Sequence, residues 1–417
     1  MTALVVGYVG MTHLGLVSAV AGAERGFRMV CFDRDAALVD RLQRAELPVN
    51  EPDLPELLAK NRGRIEFSPR ADDLGRCQVV YVAPDVPTDD AGGSDLRPVD
   101  ELIAAVSPHL AEDAVLVILS QVPPGFTRRR QRAGLQLYYQ VETLVFGRAV
   151  ERALHPERFI VGCPDPAAPL PASLRAFLDA FGCPILPMRF ESAELAKIAI
   201  NCFLVASVST TNTLAELCEG IGADWSEIAP ALRLDKRIGQ HAYLSAGLGI
   251  AGGNLERDLA TVMRFAGQLG TDAGVVDAWL KNSAHRRNWA ALTLRKVLLE
   301  KKPDALVGVW GLAYKENTHS VKNSPSLATI SQLKDANLKT HDPVVRSATA
   351  KEPLEAARDA DALMILTPWP QYRAIAPADI AKAMRGRIVL DPYGVLDRGK
   401  AHEAGLQVHV LGRAPDA

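Results

Sequence analysis

Apolar positions fall along this chain in two rhythms. From the N-terminus, short apolar runs alternate with amphipathic stretches. Residues 3–9 (ALVVGYV), 29–32, 78–83 (QVVYVA), 114–119 (AVLVIL) and 158–162 (RFIVG) read as strands, with helical stretches near 53–60 and 98–110. Near-continuous apolar strands alternating with helices predict a parallel, doubly wound sheet. After Pro187 the rhythm changes. Residues 191–222 hold no proline, and no glycine before Gly220. They predict one helix on the order of 40 Å long, at 1.5 Å per residue. It is apolar on too much of its surface to lie on one domain, so it is expected to bridge domains and to pair with a second subunit. Residues 224–300 read as mostly helical, broken by a glycine-rich loop at 245–253. Near residue 305 the alternation returns, with strand-like runs at 305–312, 338–343, 361–367 and 387–393.

The expected fold is therefore α/β, with two Rossmann-like doubly wound domains joined by a long central helix and a helical dimerisation region. The expected boundaries are 1–187, 188–300 and 301–417.

The first turn carries the sharpest chemistry. Gly10-x-Thr12-x-x-Gly15 follows a strand and opens a helix. In a dinucleotide turn the first glycine permits the tight bend and the last lets helix and strand pack closely. Phosphate then sits on free N–H groups at the helix N-terminus. Thr12 stands where a second glycine is usual, and its hydroxyl is a candidate partner for a phosphate oxygen. Asp33 ends the next strand, where a carboxylate accepts bonds from an adenosine ribose and repels a 2′-phosphate. This favours NAD over NADP; the plainer reading of Asp33 is a cap on the following helix. His13, inside the turn, is either a cofactor contact or an exposed cap. The run Arg128-Arg129-Arg130 reads as a solvated face.

Composition narrows the class. Lys and Arg number 47 against 49 Asp and Glu, a net charge of -2, which argues against a nucleic-acid binder. With 48% apolar and 23% charged residues the chain is that of a globular protein able to bury a large core. Six scattered cysteines without a CxxC pair argue against a disulfide scaffold or a zinc site, and no metal is expected. Without a signal peptide or an uninterrupted apolar span, the expectation is a reduced, cytoplasmic enzyme with no membrane partner.

Several segments, in order, resemble the UDP-glucose/GDP-mannose dehydrogenase family. EPDLPELL (51–58), VPPGFT (122–127), LHPERFIVG (154–162), ELAKIAINCFLVASVSTTNTLAELCE (194–219), RIG (237–239), GLGIAGG (247–253) and GLAYKENTHSVKNSP (311–325) carry the likeness. The resemblance implies an N-terminal NAD domain, a helical dimer core and a C-terminal nucleotide-sugar domain. It also implies oxidation of a sugar alcohol to a carboxylate by two hydride transfers through a cysteine thiohemiacetal, with a UDP-linked nucleotide sugar as partner. Lys197 and Asn201 match the family's catalytic lysine and asparagine. Their spacing makes independent sense, since positions i and i+4 share a helix face and can aim an ammonium and an amide at one alkoxide. Glu142 matches a loop glutamate, a candidate general base. Asp258 matches the aspartate that ends the cysteine loop. On the cofactor side the resemblance adds Gln121 and Lys322. On the substrate side it adds Arg237, from a neighbouring subunit onto the diphosphate, then Tyr243, Gly249, Gly253, Asn254 and Lys315.

The match fails where the chemistry lies. The family's loop is GGSCFPKD-like; here it reads Gly252-Gly253-Asn254-Leu255-Glu256-Arg257-Asp258, one residue shorter and without cysteine. Gln121 stands in place of a threonine, Phe146 of a second glutamate, Val141 of a proline and Lys322 of an arginine. Cys202 and Cys218 read as small core residues of the long helix. Three readings stay open: a dehydrogenase making one hydride transfer, a four-electron enzyme using a gem-diol and activated water, and a redox-silent nucleotide-sugar-binding or regulatory protein.

Overall fold

The computed structural model describes residues 4–89 and 92–414. The chain divides between Ile200 and Asn201 into two compact units.

In the first unit eight strands form one sheet: β1 (Val5–Val9), β2 (Arg28–Phe32), β3 (Ile65–Ser68), β4 (Val79–Val82), β5 (Val115–Ile118), β6 (Gln136–Gln140), β7 (Phe159–Cys163) and β8 (Ile185–Arg189). Their order is β3-β2-β1-β4-β5-β6-β7-β8. Strands β1 to β6 run parallel, and the winding reverses between β1 and β4. β7 is antiparallel to β6, and β8 follows it in parallel. The strands are apolar throughout because both faces are covered. Val6, Tyr8, Met29, Cys31 and Tyr81 pack beneath α1 (His13–Glu24), α2 (Ala36–Gln43), α3 (Leu54–Lys60), α5 (Ala149–Leu154) and α6 (Ala172–Asp179). Val9, Val30, Val82 and Leu116 face the other way, against α4 (Arg97–Val106) and the residues Phe190 and Ala193 that begin α7 (Phe190–Ile221).

Helix α7 has the extent that the sequence predicts, 32 residues. Among the described residues it alone is long and apolar enough to cross a membrane by length and composition. Glu194, Asn201, Ser209, Thr211 and Asn212 are nevertheless buried along it, so those polar faces meet protein.

The second unit continues with α8 (Trp225–Leu234), α9 (Asn254–Leu269), α10 (Gly274–Arg287) and α11 (Trp289–Leu294). A five-stranded parallel sheet follows: β9 (Leu306–Trp310), β10 (Asn337–His341), β11 (Ala362–Ile365), β12 (Ile388–Leu390) and β13 (Gln407–His409), ordered β10-β9-β11-β12-β13. The winding here reverses between β9 and β11, so the two sheets belong to different doubly wound orders. α11 and Leu333, which follows α12 (Pro325–Gln332), pack on one face of this sheet, over Val307, Met364 and Leu390.

One brace nevertheless occurs in both units. Gly10 N–H donates to Phe32 O at 3.0 Å, and Met11 N–H to Asp33 Oδ2 at 2.7 Å. In the second sheet Gly311 N–H donates to His341 O at 2.8 Å, and Leu312 N–H to Asp342 Oδ2 at 2.7 Å. An acid at the end of the second strand thus ties down the turn after the first, twice in one chain.

Candidate active site

The candidate residues of the first unit gather at one end of its sheet. Gly10 follows β1, Asp33 follows β2, Gln121 follows β5 and Glu142 follows β6, all at the carboxyl ends of parallel strands, where open α/β sheets bind ligands.

The glycine turn is built for close approach. Gly10 sits at φ +91°, and a Cβ on Gly15 would lie 2.0 Å from Gly10 O. Only glycine lets α1 pack this tightly on β1. Asp33 does not cap the next helix, because Asp35 does, accepting from Ala37 and Leu38 N–H. Asp33 instead braces the turn through Oδ2 and accepts Asp35 N–H on Oδ1. The Thr12 hydroxyl is spent within the protein: it donates to Ala83 O at 3.3 Å and accepts Asp85 N–H at 2.9 Å. The expected phosphate contact through Thr12 thus has a local competitor. His13 is neither a surface cap nor exposed. It is 6% exposed, stacks on Phe146 at 4.2 Å and bonds Glu51 Oε2 through Nε2 at 3.0 Å. Glu51, itself buried, also accepts Gly147 and Ala149 N–H, closing the N-terminus of α5.

Lys197 and Glu142 form the reactive-looking pair. Lys197 Nζ lies 2.7 Å from Glu142 Oε1 and 3.1 Å from Glu142 O, with the two side chains 12% and 17% exposed. One turn earlier on α7, Glu194 is fully buried and accepts the Gly125 N–H at 2.5 Å and the Thr127 N–H at 2.8 Å. Burial pushes its carboxyl up, opposed by those two amides. Glu194 anchors the start of α7 to the turn after β5 and so fixes the height of Lys197. The arginine run is not merely a solvated face. Arg128 pairs with Glu191 at 3.0 Å and lies over Phe190, and Arg130 pairs with Asp100 and donates to Phe126 O.

In the second unit, Asn201, one turn beyond Lys197 on the same helix, donates Nδ2–H to Asp258 Oδ2 at 2.5 Å. Asp258 is 1% exposed and also meets Arg257 Nε at 3.3 Å. The glycine loop runs hard against its neighbours: at Gly252, with φ +88°, a Cβ would strike the Tyr314 ring at 2.7 Å. Gly249 lies against Ser283 of α10, and Gly253 lies against the Lys322 stem and precedes Asn254, the first residue of α9. Arg287 clasps the loop by donating to Ile250 O and Glu256, and Glu256 also takes Asn323. Lys315 lies 5.7 Å from the Tyr314 ring centre. Two substrate-side candidates stand in solvent. Tyr243 is half exposed, and Arg237 is forked on Asp235 at 3.0 and 2.6 Å with its side chain 88% exposed.

Sulfur does not fill the loop's gap. Cys218 is buried beside Trp225. Cys202 is only partly buried among Leu255 and Val262, and burial, then the Asp258 charge, push its thiol up. A thiol so placed resists ionising.

Glu51, Asp85, Glu194 and Arg287 were not singled out by the sequence reading. Each is a charged residue that meets its partners 31 to 98 positions away, a separation no local period reports.

A glycine turn and a mostly buried lysine–glutamate pair at the carboxyl end of a doubly wound sheet fit an NAD-dependent oxidoreductase. The chain matches the NAD binding domain (residues 4–176), the central domain (191–284) and the UDP binding domain (308–398) of one family. It belongs to the UDP-glucose/GDP-mannose dehydrogenase family, whose members oxidise the CH–OH of a nucleotide sugar. It is 29% identical to UDP-glucose 6-dehydrogenase TuaD of Bacillus subtilis, over 97% of this chain and 92% of that one. The UDP-glucose 6-dehydrogenase of Pseudomonas aeruginosa is also 29% identical, over 97% and 96%. Among solved structures, a UDP-glucose dehydrogenase from Pyrobaculum islandicum superposes with a TM-score of 0.86 at 28% identity, covering 99% of this chain and 98% of its own.

Proposed function

We propose that this chain oxidises one hydroxyl of a UDP-linked sugar to a carbonyl by a single hydride transfer, and stops there. The UDP binding domain match and the relatives' activities support a UDP-sugar. The fit of the turn to NAD rests on the Gly10–Gly15 approach and on Asp33. When bound, NAD supplies the hydride acceptor.

Proton handling belongs to the protein. A sugar hydroxyl entering between Lys197 and Glu142 gives its proton to the Glu142 carboxylate. The Lys197 ammonium stays against the oxygen as negative charge grows there. One turn further along the same helix, Asn201 holds its amide against Asp258. The single observation that carries this reading is the mostly buried Lys197–Glu142 pair at 2.7 Å, a poised acid and base with little competing water.

The stop follows from sulfur chemistry. A covalent second oxidation requires a thiolate to add to the aldehyde. Residues 252–258 bring no thiol, and Cys202 is held protonated by its surroundings.

A second copy of the chain is part of the proposal. Phe203, Leu217 and Ile221 of α7 and Leu234 of α8 are 79%, 55%, 75% and 80% exposed, an apolar face suited to a homodimer. Six free cysteines suit a reducing, cytoplasmic compartment.

The test is NADH yield per sugar consumed, with UDP-glucose and other UDP-hexoses. One NADH per sugar supports the proposal. Two overturn the single-transfer stop, and none with any sugar overturns the oxidoreductase reading.

A further inference from the structure

We propose that Asp85 is an internal competitor for the cofactor's diphosphate and so sets the affinity for NAD. The inference rests on the NAD reading of the Gly10–Gly15 turn and goes beyond it. In such a turn the diphosphate is received by N–H groups at the head of the following helix. Here those donors are already engaged. Asp85 Oδ2 accepts the first N–H of α1, from His13, at 3.2 Å. Gly10 and Met11 N–H are spent on Phe32 O and Asp33.

The neighbourhood is acidic. Asp33 and Glu51 carry carboxylates onto the same turn, and His13, bonded to Glu51, is the basic side chain facing Asp85 from α1. A diphosphate must therefore displace one anion from the helix head and approach two others.

The tether is short. Asp85's own N–H is held by the Thr12 hydroxyl at 2.9 Å, so the carboxylate can leave the helix head by side-chain rotation about a fixed backbone. Thr12, in the place of the usual second glycine, thereby keeps the competitor beside its seat.

The experiment uses the full chain and titrates NAD by calorimetry and adenosine by NMR, for wild type, Asp85→Ala and Asp85→Asn. Adenosine engages the Asp33 end and carries no phosphate. The expected result is NAD binding about tenfold tighter in Asp85→Ala and less so in Asp85→Asn, whose amide oxygen still accepts an N–H, with adenosine affinity unchanged. Thermal unfolding of both variants identifies a misfolded one, and either folded variant suffices. NAD binding no tighter in any folded variant overturns the proposal, as does an equal shift for NAD and adenosine. Failure of all three proteins to bind NAD overturns the NAD reading itself.

Discussion

Replacing Lys197 by methionine tests the chemistry most directly. Methionine keeps the length of the side chain and removes the ammonium. Two bonds are lost, to Glu142 Oε1 at 2.7 Å and to Glu142 O at 3.1 Å. A charge-assisted bond to a mostly buried carboxylate is worth about 1.5–3 kcal/mol, so the fold should lose about 2 kcal/mol. Glu142 keeps its other bond, the Leu144 N–H at 2.9 Å, which limits the damage. Catalysis should lose more. A preorganised donor aimed at a developing oxyanion contributes about 10²–10³-fold in kcat. The assay is initial-rate NADH formation, with NAD affinity measured separately. The expected outcome is kcat down about 10²–10³-fold and NAD affinity unchanged. Glu142→Gln completes a double-mutant cycle, and groups acting as one unit should give strongly non-additive losses. A kcat within about threefold of wild type in Lys197→Met, or full additivity in the cycle, would refute the assignment.

Two further predictions concern the frame. Gly15→Ala puts a methyl group 2.0 Å from Gly10 O, so it should cost more than about 3 kcal/mol and abolish NAD binding; a wild-type unfolding midpoint and affinity would contradict this. Asp361 is held far below the usual carboxylate range, by Arg385 first and then by Lys302 and the Leu306 N–H. Its stabilisation is therefore fully present above the unfolded pKa of about 3.9 and is lost as pH falls toward the folded value. Asp361→Asn should be about 2 kcal/mol less stable at neutral pH, with the gap to wild type narrowing below about pH 4. Denaturant midpoints at neutral and acid pH measure this, and a constant gap would count against it.

Much of this architecture is written locally. The strand–glycine–helix–strand–acid unit was legible because each step has its own residue signature, and α7 because an unbroken apolar stretch admits little else. Strands β3, β6, β8 and β13 were not legible. IEFS and QVH are too short for a period to emerge, and QLYYQ mixes polar with aromatic positions. β8 contains Pro187, which reads as a break in sequence but is tolerated at a sheet edge, where its missing N–H has no ladder to serve. At the site, spacing along one helix announced Lys197 and Asn201. Nothing in sequence announced Asp85, because its meaning comes from lying across the head of α1, 72 residues away.

The two rims of the eight-stranded sheet also decide what this protein avoids. β8 is interrupted by a residue that cannot donate and is largely open to solvent, while β3 is four residues long with Glu66 exposed. Neither rim offers a long, flat row of amides on which a stray chain could lengthen the ladder. Lengthening of this ladder by a stray strand is thus disfavoured at both of its borders.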